Sequence, residues 1–150
     1  MTKEYQGSCE HRPATIDDIP GILNDLLDAE MADCYRLGIN PVIGALSSMR
    51  GCDAVITFSP DSKPMVLHGI DSSGYAWMLN TNEVNRHPRA FMRWLKGWLS
   101  DHQHKLLHSC IDIQNISRIR MLKRVGFKLL RLLPVEMNGK NHYFVEIVRV

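Results

Sequence analysis

The stretch at residues 115–127 reads N-I-S-R-I-R-M-L-K-R-V-G-F, and it predicts a helix that stops abruptly before a strand. Asn115 is a good N-cap, because its side-chain oxygen can accept hydrogen bonds from the amides of the first turn. The apolar residues at helical spacing form the predicted inner face: Ile119, Leu122 and Val125. Gly126 supplies the left-handed residue at which such helices end, so a strand is predicted over residues 127–135.

Strands are predicted on both sides of this helix. The apolar run at residues 106–111 precedes it, and the strand at residues 127–135 is followed by another at residues 143–150. Asn138-Gly139 lies between the last two runs and is typical of a tight hairpin turn. The C-terminal third therefore predicts a strand, a helix and a closing hairpin.

Three short strands are predicted in the middle of the chain, at residues 53–59, 65–71 and 75–80. The turns between them are rich in Pro, Asp, Ser and Gly, so the runs predict an antiparallel meander. A long helix is predicted to begin near Pro88. Its buried stripe is expected to contain Phe91, Met92, Leu95, Trp98 and Leu99.

The N-terminal third predicts a strand and two helices. Residues 9–14 are predicted to be extended, and Thr15 with Asp18 three residues later indicates a capping box at a helix start. The helix that follows has apolar residues at amphipathic spacing: Ile19, Ile22, Leu23, Leu26 and Leu27. Gly38 is predicted to end this region, and a break in the helix before Gly38 is left open. A second helix is predicted from Asn40, with proline at its first position, to Gly51.

The predicted order is β-α-α-β-β-β-α-β-α-β-β. It favours an α/β (α+β) fold with one mixed, mostly antiparallel sheet flanked by helices on both faces. Residues 9–150 are predicted to form a single domain, and residues 1–8 a mobile polar tail. The residues expected in the core are Leu23, Leu26, Phe91, Leu95, Ile119 and Leu122.

Composition narrows the classes of function. The 150 residues are 45% hydrophobic and 23% charged, which excludes a disordered or collagen-like chain. The net charge of +2 does not indicate binding to nucleic acid or to a membrane. Residues 1–11 lack the apolar segment of a signal peptide, and no apolar run approaches the ~20 residues that span a bilayer. We expect a cytoplasmic protein whose four cysteines are reduced.

Three local patterns resemble the GNAT acyltransferases. These are Arg12-Pro13-Ala14-Thr15-x-x-Asp18, the meander before a long helix, and Asn115 followed by Gly126-Phe127. Together they span most of the chain. The resemblance implies a GNAT-like fold, and in working members of that family acetyl-CoA is the cofactor.

A closer resemblance rests on three further patterns. They are Trp77-Met78-Leu79-x-Thr81-x-Glu83, His87-Pro88-Arg89-Ala90-Phe91, and the ending Gly-x-x-x-Tyr-Phe-x-Glu at residues 139–146. These patterns are similar to small GNAT-like proteins of short-tailed phages, often called internal virion protein A. The resemblance implies a role in virion assembly, with other phage structural proteins as partners. It places the chain in the host cytoplasm or in the virion, and it does not define an oligomeric state.

The departures from the GNAT pattern concern the cofactor. The family binds the acetyl-CoA pyrophosphate through a Gln/Arg-x-x-Gly-x-Gly/Ala loop, in which glycine lets backbone amides approach the phosphates. The corresponding residues 82–89 contain no glycine, and Pro88 has no N–H to donate. The family's proton-donating Tyr corresponds to Leu122, which has no proton to give. We therefore expect no cofactor and no ordinary acetyl transfer.

The alternative is an acetyl-CoA-dependent N-acetyltransferase with an altered cofactor loop. Arg86, His87 and Arg89 would then hold phosphate through their side chains. The resemblance adds Leu79 and Asn115 as cofactor contacts, although Asn115 is predicted first as a helix cap. His68 and Glu83 are the candidate general bases, with Asp71 as a further one, because this work needs a group that exchanges protons near neutral pH.

Two other groups are predicted to be structural. His102, His104 and His108 resemble a metal-ligand run, but a tetrahedral site needs three or four converging ligands, and we expect a solvated helix end with no metal. The densest basic cluster is expected to be a solvated helix face and comprises Arg118, Arg120, Lys123 and Arg124, with Lys128 and Arg131 after it.

Overall fold

The computed structural model describes residues 9–102 and 105–149. The predicted tail at residues 1–8, His104 and the final residue of the predicted closing strand lie outside the described residues. The strands are β1 (His11–Pro13), β2 (Val55–Phe58), β3 (Pro64–Ile70), β4 (Ala76–Asn80), β5 (Leu107–Asp112), β6 (Lys128–Met137) and β7 (Lys140–Arg149). The helices are α1 (Ile19–Leu23), α2 (Asp28–Leu37), α3 (Pro41–Arg50), α4 (Glu83–Arg86), α5 (Pro88–Asp101) and α6 (Ile116–Arg124).

The strands form two antiparallel sheets, in the orders β1-β2-β3-β4 and β5-β7-β6. A single parallel bridge between Tyr75 and His108 joins the start of β4 to the start of β5. The predicted α/β class, the meander and the closing hairpin are confirmed, and Asn138 and Gly139 both take positive φ in the hairpin turn. The predicted single sheet is split into two halves that meet at this bridge.

The predicted helix through Leu27 is wrong in its extent. Helix α1 ends at Leu23 and α2 begins at Asp28, with an irregular link between them. The link pairs with the end of β4. Leu26 forms a β-bridge with Thr81, and the amide of Leu27 donates to the carbonyl of Asn80 over 3.0 Å. Because these groups bond to the sheet, they cannot continue the helix.

The start of this region follows the predicted capping box. The amide of Thr15 donates to the Asp18 carboxylate over 2.8 Å, and a short 3₁₀ turn at Ile16–Asp18 precedes α1. That carboxylate also accepts from the Arg12 guanidinium over 2.6 Å. The Arg12-x-x-Thr15-x-x-Asp18 pattern therefore fixes the end of β1 to the first turn of helix.

The core consists of two apolar clusters on opposite faces of the first sheet. Val66 packs beneath α5 with Leu95 and Leu99, whereas its neighbour Leu67 packs beneath α1 with Ile22. This alternation is what a strand buried on both faces requires. Of the predicted core residues, Leu26, Phe91, Leu95 and Leu122 are buried, and Leu23 and Ile119 are half-buried. None of the described helices is both long enough and apolar enough to span a membrane.

Candidate functional site

A small cavity lies between β4 and β5, next to the single bridge that joins the two sheets. Its volume is about 90 Å³, and its walls include Met78 of β4, Cys110 of β5, Leu95 of α5 and Leu122 of α6. The cavity is smaller than the ~300–1,000 Å³ of typical small-molecule pockets.

The only phenol on the cavity wall belongs to Tyr75, among the described lining residues. Burial raises the pKa of Tyr75, although hydrogen bonds to Ser109 and the backbone of Cys110 oppose this in part. Leu122, at the position of the family's proton-donating Tyr, is 5% exposed and packs into the core. Tyr75 is not among the site residues predicted from the sequence, where its one distinguishing feature is its position directly after the turn that precedes β4.

The segment that follows β4 replaces the expected phosphate loop with a one-turn helix, α4. Every backbone amide from residue 81 to residue 87 donates to an acceptor inside the protein. The amides of Thr81 and Asn82 donate to the carbonyls of Met65 and Asp25, both over 2.9 Å. The other five amides close hydrogen bonds within the segment itself. The backbone donors of residues 81–87, which make up most of the segment corresponding to the GNAT loop, are thus already used.

Glu83, the first residue of α4, has a buried carboxylate and is 1% exposed. One oxygen accepts from the Ser59 hydroxyl and the other from the Arg86 guanidinium, each over 2.6 Å. Burial raises the pKa of Glu83, but these two hydrogen bonds outweigh it and hold the pKa below its usual value. Glu83 is therefore ionised and engaged by two donors.

The three predicted phosphate-binding side chains have different surroundings. Arg86 is held by Asp25 over 2.7 Å as well as by Glu83, and these hydrogen bonds raise its pKa. His87 lies 2.8 Å from the carboxylate of Asp61. Arg89 is exposed on the first turn of α5. Of the three, Arg86 and His87 are thus already engaged by carboxylates within the protein.

Asp61, Glu83 and His87 form the one grouping of potential metal ligands among residues 9–102 and 105–149. The His87 ring nitrogen is 3.8 Å from Glu83 and 2.8 Å from Asp61. The guanidinium of Arg86, 2.6 Å from Glu83, already supplies a positive charge to this grouping. The geometry is accounted for as an internal ion-pair network.

His68 is buried under α5, where its hydrogen bonding, ring contacts and pKa differ from those of an imidazole in water. It is 2% exposed, its Nε2 lies 2.8 Å from the Thr57 hydroxyl, and its ring contacts Trp94 and Trp98 at centroid distances of 4.7 and 5.2 Å. Burial lowers the pKa of His68 to about 3. The ring is neutral at pH 7 and tied to Thr57, so the structure does not present it as a base.

This burial should make the stability of the protein depend on pH. The unfolded chain binds a proton at His68 near pH 6.5, whereas the folded chain does so near pH 3, so protons favour unfolding between these values. We expect the free energy of unfolding to fall by about 2 kcal/mol from His68 alone between pH 7 and pH 5. Urea denaturation at several pH values measures this change.

His68→Gln provides the control for that prediction, since Gln can bond Thr57 but does not titrate. Its loss of stability over the same pH range should be smaller than that of the wild type by the same ~2 kcal/mol. Parallel pH profiles for the two proteins would contradict the assignment of a depressed pKa to His68.

Asn115 caps α6, as predicted. Its Oδ1 accepts from the amide of Arg118 over 3.3 Å, and its Nδ2 donates to the carboxylate of Asp33 on α2 over 3.1 Å. The side chain is 6% exposed and both of its ends are used. Leu79, the other proposed cofactor contact, packs with the cluster beneath α1.

Removing this cap should cost stability. Asn115→Ala is expected to lower the free energy of unfolding by about 0.5–2 kcal/mol. Asn115→Ser should recover most of the loss, because Ser also caps. Asn115→Asp caps equally well but brings a carboxylate against Asp33, so it should recover less. An Asp variant as stable as wild type, measured by thermal unfolding, would contradict the role of the Asp33 contact.

One residue of the predicted basic face, Arg118, is directed into the protein instead of the solvent. The Arg118 guanidinium is buried and pairs with Glu30 of α2, whereas Arg120, Lys123 and Arg124 are exposed. Burial lowers the pKa of Arg118 to about 10, so the group is still charged at pH 7. The remaining cations form a solvated face.

The two described histidines of the predicted run have separate surroundings. His102 lies at the end of α5, with Nδ1 2.8 Å from the carbonyl of Trp98. His108 lies at the start of β5 and contacts the ring of Tyr75 at 5.5 Å. Each ring is therefore explained by its own neighbours.

Comparison with known proteins defines the fold. No protein-family model and no curated protein sequence matches the chain. The structure is similar to spermidine N-acetyltransferase from Vibrio cholerae in complex with CoA and spermine, with a TM-score of 0.67, 10% identity and 94% coverage of both chains.

A GCN5-related N-acetyltransferase from Kribbella flavida gives a TM-score of 0.63 at 11% identity, covering 96% of this chain and 98% of that one. A protein assigned as a phosphinothricin N-acetyltransferase gives 0.66 at 16% identity, covering 95% of this chain and 98% of that one. At such low identities these likenesses concern the fold alone. The chain has a GNAT-like fold.

Proposed function

We propose that this chain is a GNAT-fold protein that acts in phage virion assembly by binding other structural proteins, and that it does not transfer acetyl groups by the ordinary GNAT route. The observation that supports the absence of ordinary acetyl transfer is the closed hydrogen bonding of residues 81–87, in which every amide has an internal acceptor. A pyrophosphate would have to displace these bonds to be held by the backbone. Acetyl-CoA therefore does not fit the segment as the family binds it. The assembly role is proposed from the resemblance to the phage proteins and from the surface of β6.

The exposed surface of β6 supports a binding role. β6 is the edge strand of its sheet, and its exposed apolar side chains are Leu129, Leu130, Leu132 and Val135, between 38% and 58% exposed. Exposed apolar side chains along one edge strand are suited to contact another protein. Pro134 has no N–H, and proline in an edge strand discourages further strand pairing. The side chains of β6, more than its backbone edge, are thus suited to contact a partner.

The second candidate is the acetyl-CoA-dependent N-acetyltransferase. The observation that favours it is the cavity between β4 and β5, which has an apolar wall and a protonated phenol at Tyr75. Exposed Arg89 would supply one cation for phosphate. This candidate requires the loop at residues 81–87 to rearrange when the cofactor binds.

Calorimetric titration with acetyl-CoA and with CoA separates the two candidates. We expect no saturable binding up to millimolar ligand. A dissociation constant in the low micromolar range that is lost in Arg89→Ala would support the acetyltransferase instead. Lys96→Ala, on an exposed position of the same helix, is the matched control for a general loss of positive charge.

The assembly role has a separate test in a phage that lacks this gene and receives it from a plasmid. Leu130→Asp with Leu132→Asp should reduce plaque formation, whereas Ile16→Asp, at a 66% exposed position elsewhere, should complement like wild type. Full complementation by the β6 variant would contradict the use of β6 as the binding surface. Virions that assemble normally without the gene would contradict the assembly role.

A further inference from the structure

Helix α2 has its charged face turned inward and its apolar face turned outward. Its inward side chains include Glu30, which is 4% exposed, and Arg36, which pairs with Asp112 of β5 over 3.0 Å. Its large outward side chains are Met31 and Tyr35, which are 43% and 90% exposed, and the other exposed residues of the helix are Asp28 at its first position and Ala32. A surface helix of a monomeric protein shows the opposite arrangement.

The apolar surface continues from α2 onto α3. Ile39 in the connecting turn is 37% exposed, and the outward residues Val42, Ile43 and Leu46 of α3 are 46%, 61% and 37% exposed. We call this the α2–α3 face, defined by Met31, Tyr35, Ile39, Val42, Ile43 and Leu46. Between positions 31 and 47 no exposed residue carries a charge, and the exposed charges of the two helices, Asp28 and Arg50, lie at their outer ends. The exposed positions of α5, in contrast, include Arg89, Arg93 and Lys96.

The buried ion pairs prevent α2 from turning this face inward. Glu30 pairs with Arg118, Arg36 with Asp112, and Asp33 accepts from Asn115, so three successive turns of α2 are bound to the β5–α6 region. Rotation of α2 would leave these charges without partners in the interior, which is costly. The outward position of Tyr35 and Met31 is therefore fixed by the fold.

We propose that the α2–α3 face is covered by the same face of a second copy of this chain. A surface without charge gives a charged partner nothing to pair with, and a two-fold axis places it against itself without like-charge repulsion. The six side chains expose several hundred Å² together, comparable with the ~800 Å² that each partner buries in a standard interface. Tyr35, at 90% exposure, is the anchor of this contact.

Sedimentation equilibrium of the full chain tests the proposal. The wild type is expected to be a dimer at micromolar concentration. Ile43→Asp and, separately, Tyr35→Lys should each raise the dimer dissociation constant at least tenfold. Both substitutions suit their places in the helices, since an anion in the first turn of α3 and a cation in the last turn of α2 favour the helix dipoles. Circular dichroism then verifies that each variant is folded.

The matched controls are Ile16→Asp and Leu130→Asp, which also put a charge on an exposed apolar position. Both should remain dimers. A monomeric wild type at 100 μM would overturn the proposal, as would dissociation by Leu130→Asp with no effect of Ile43→Asp. Dimer formation through the α2–α3 face is independent of acetyl-CoA binding and of the role of β6. The dimer proposal can therefore fail while the proposed function stands.

Discussion

Replacing Glu30 with Gln should lower the free energy of unfolding by about 3–5 kcal/mol, because the substitution leaves a buried charge without its partner. The Arg118 side chain on α6 is 13% exposed, and the Glu30 side chain on α2 is 4% exposed. Gln has the size of Glu, so the loss reports charge and not packing. Urea denaturation monitored by tryptophan fluorescence measures the effect.

The double variant Glu30→Leu with Arg118→Met is the control. It removes both charges and keeps similar volumes, so it should be much closer in stability to the wild type than Glu30→Gln. If the double variant and the single variant lose the same amount, the loss comes from packing around α2. A Glu30→Gln protein within 1 kcal/mol of the wild type would show that Arg118 has another source of compensation.

The elements of the fold could be predicted from the sequence where the pattern is local. The Asn115 cap, the Gly126 stop and the Asn138-Gly139 turn each depend on residues a few positions apart, and the structure contains all three. The meander follows from alternating runs separated by short turns. Local geometry is sufficient in these cases because turn and cap preferences act within one or two turns of chain.

The sequence left a break before Gly38 open, but the position of the break between α1 and α2 could not be predicted in this way. The apolar spacing from Ile19 to Leu27 suits a helix, but Leu26 and Leu27 bond to the end of β4 more than fifty residues later. Tertiary contacts of this kind override helix propensity. The same applies to Arg118, which looks like part of a solvated basic face until Glu30 is brought beside it by the fold.

The sequence predicted which residue types are present at the candidate site, but not how the structure arranges them. The absence of glycine at residues 82–89 and the leucine at position 122 could be seen in the sequence. The sequence could not show that Asp25 would hold Arg86 or that Asp61 would hold His87, because these partners are 61 and 26 positions away. The loss of free backbone donors follows from α4, a one-turn helix below the length at which periodicity is visible.

Replacing Gly74 with Ala should also lower the free energy of unfolding strongly, by roughly 2–6 kcal/mol from backbone strain and overpacking together. Gly74 has φ +91°, and a Cβ there would lie 2.3 Å from the carbonyl oxygen of Leu106. Its own carbonyl accepts from the amide of His108 over 3.0 Å, so it forms part of the junction between the two sheets. The clash is with backbone on the opposite strand, and relief requires the sheets to move apart.

Gly139→Ala separates strain from clash, because Gly139 also has a positive φ of +75° but nothing within 4 Å of the added Cβ. That variant should lose only about 1–2 kcal/mol, the cost of a left-handed conformation for Ala. The additional loss of stability in Gly74→Ala, compared with Gly139→Ala, then measures how strongly β4 is held against β5 beside the cavity. Equal losses in the two variants, measured by urea denaturation, would show that the junction yields freely. The cavity between β4 and β5 would then be able to widen, and the acetyltransferase alternative would gain the room it lacks in this structure.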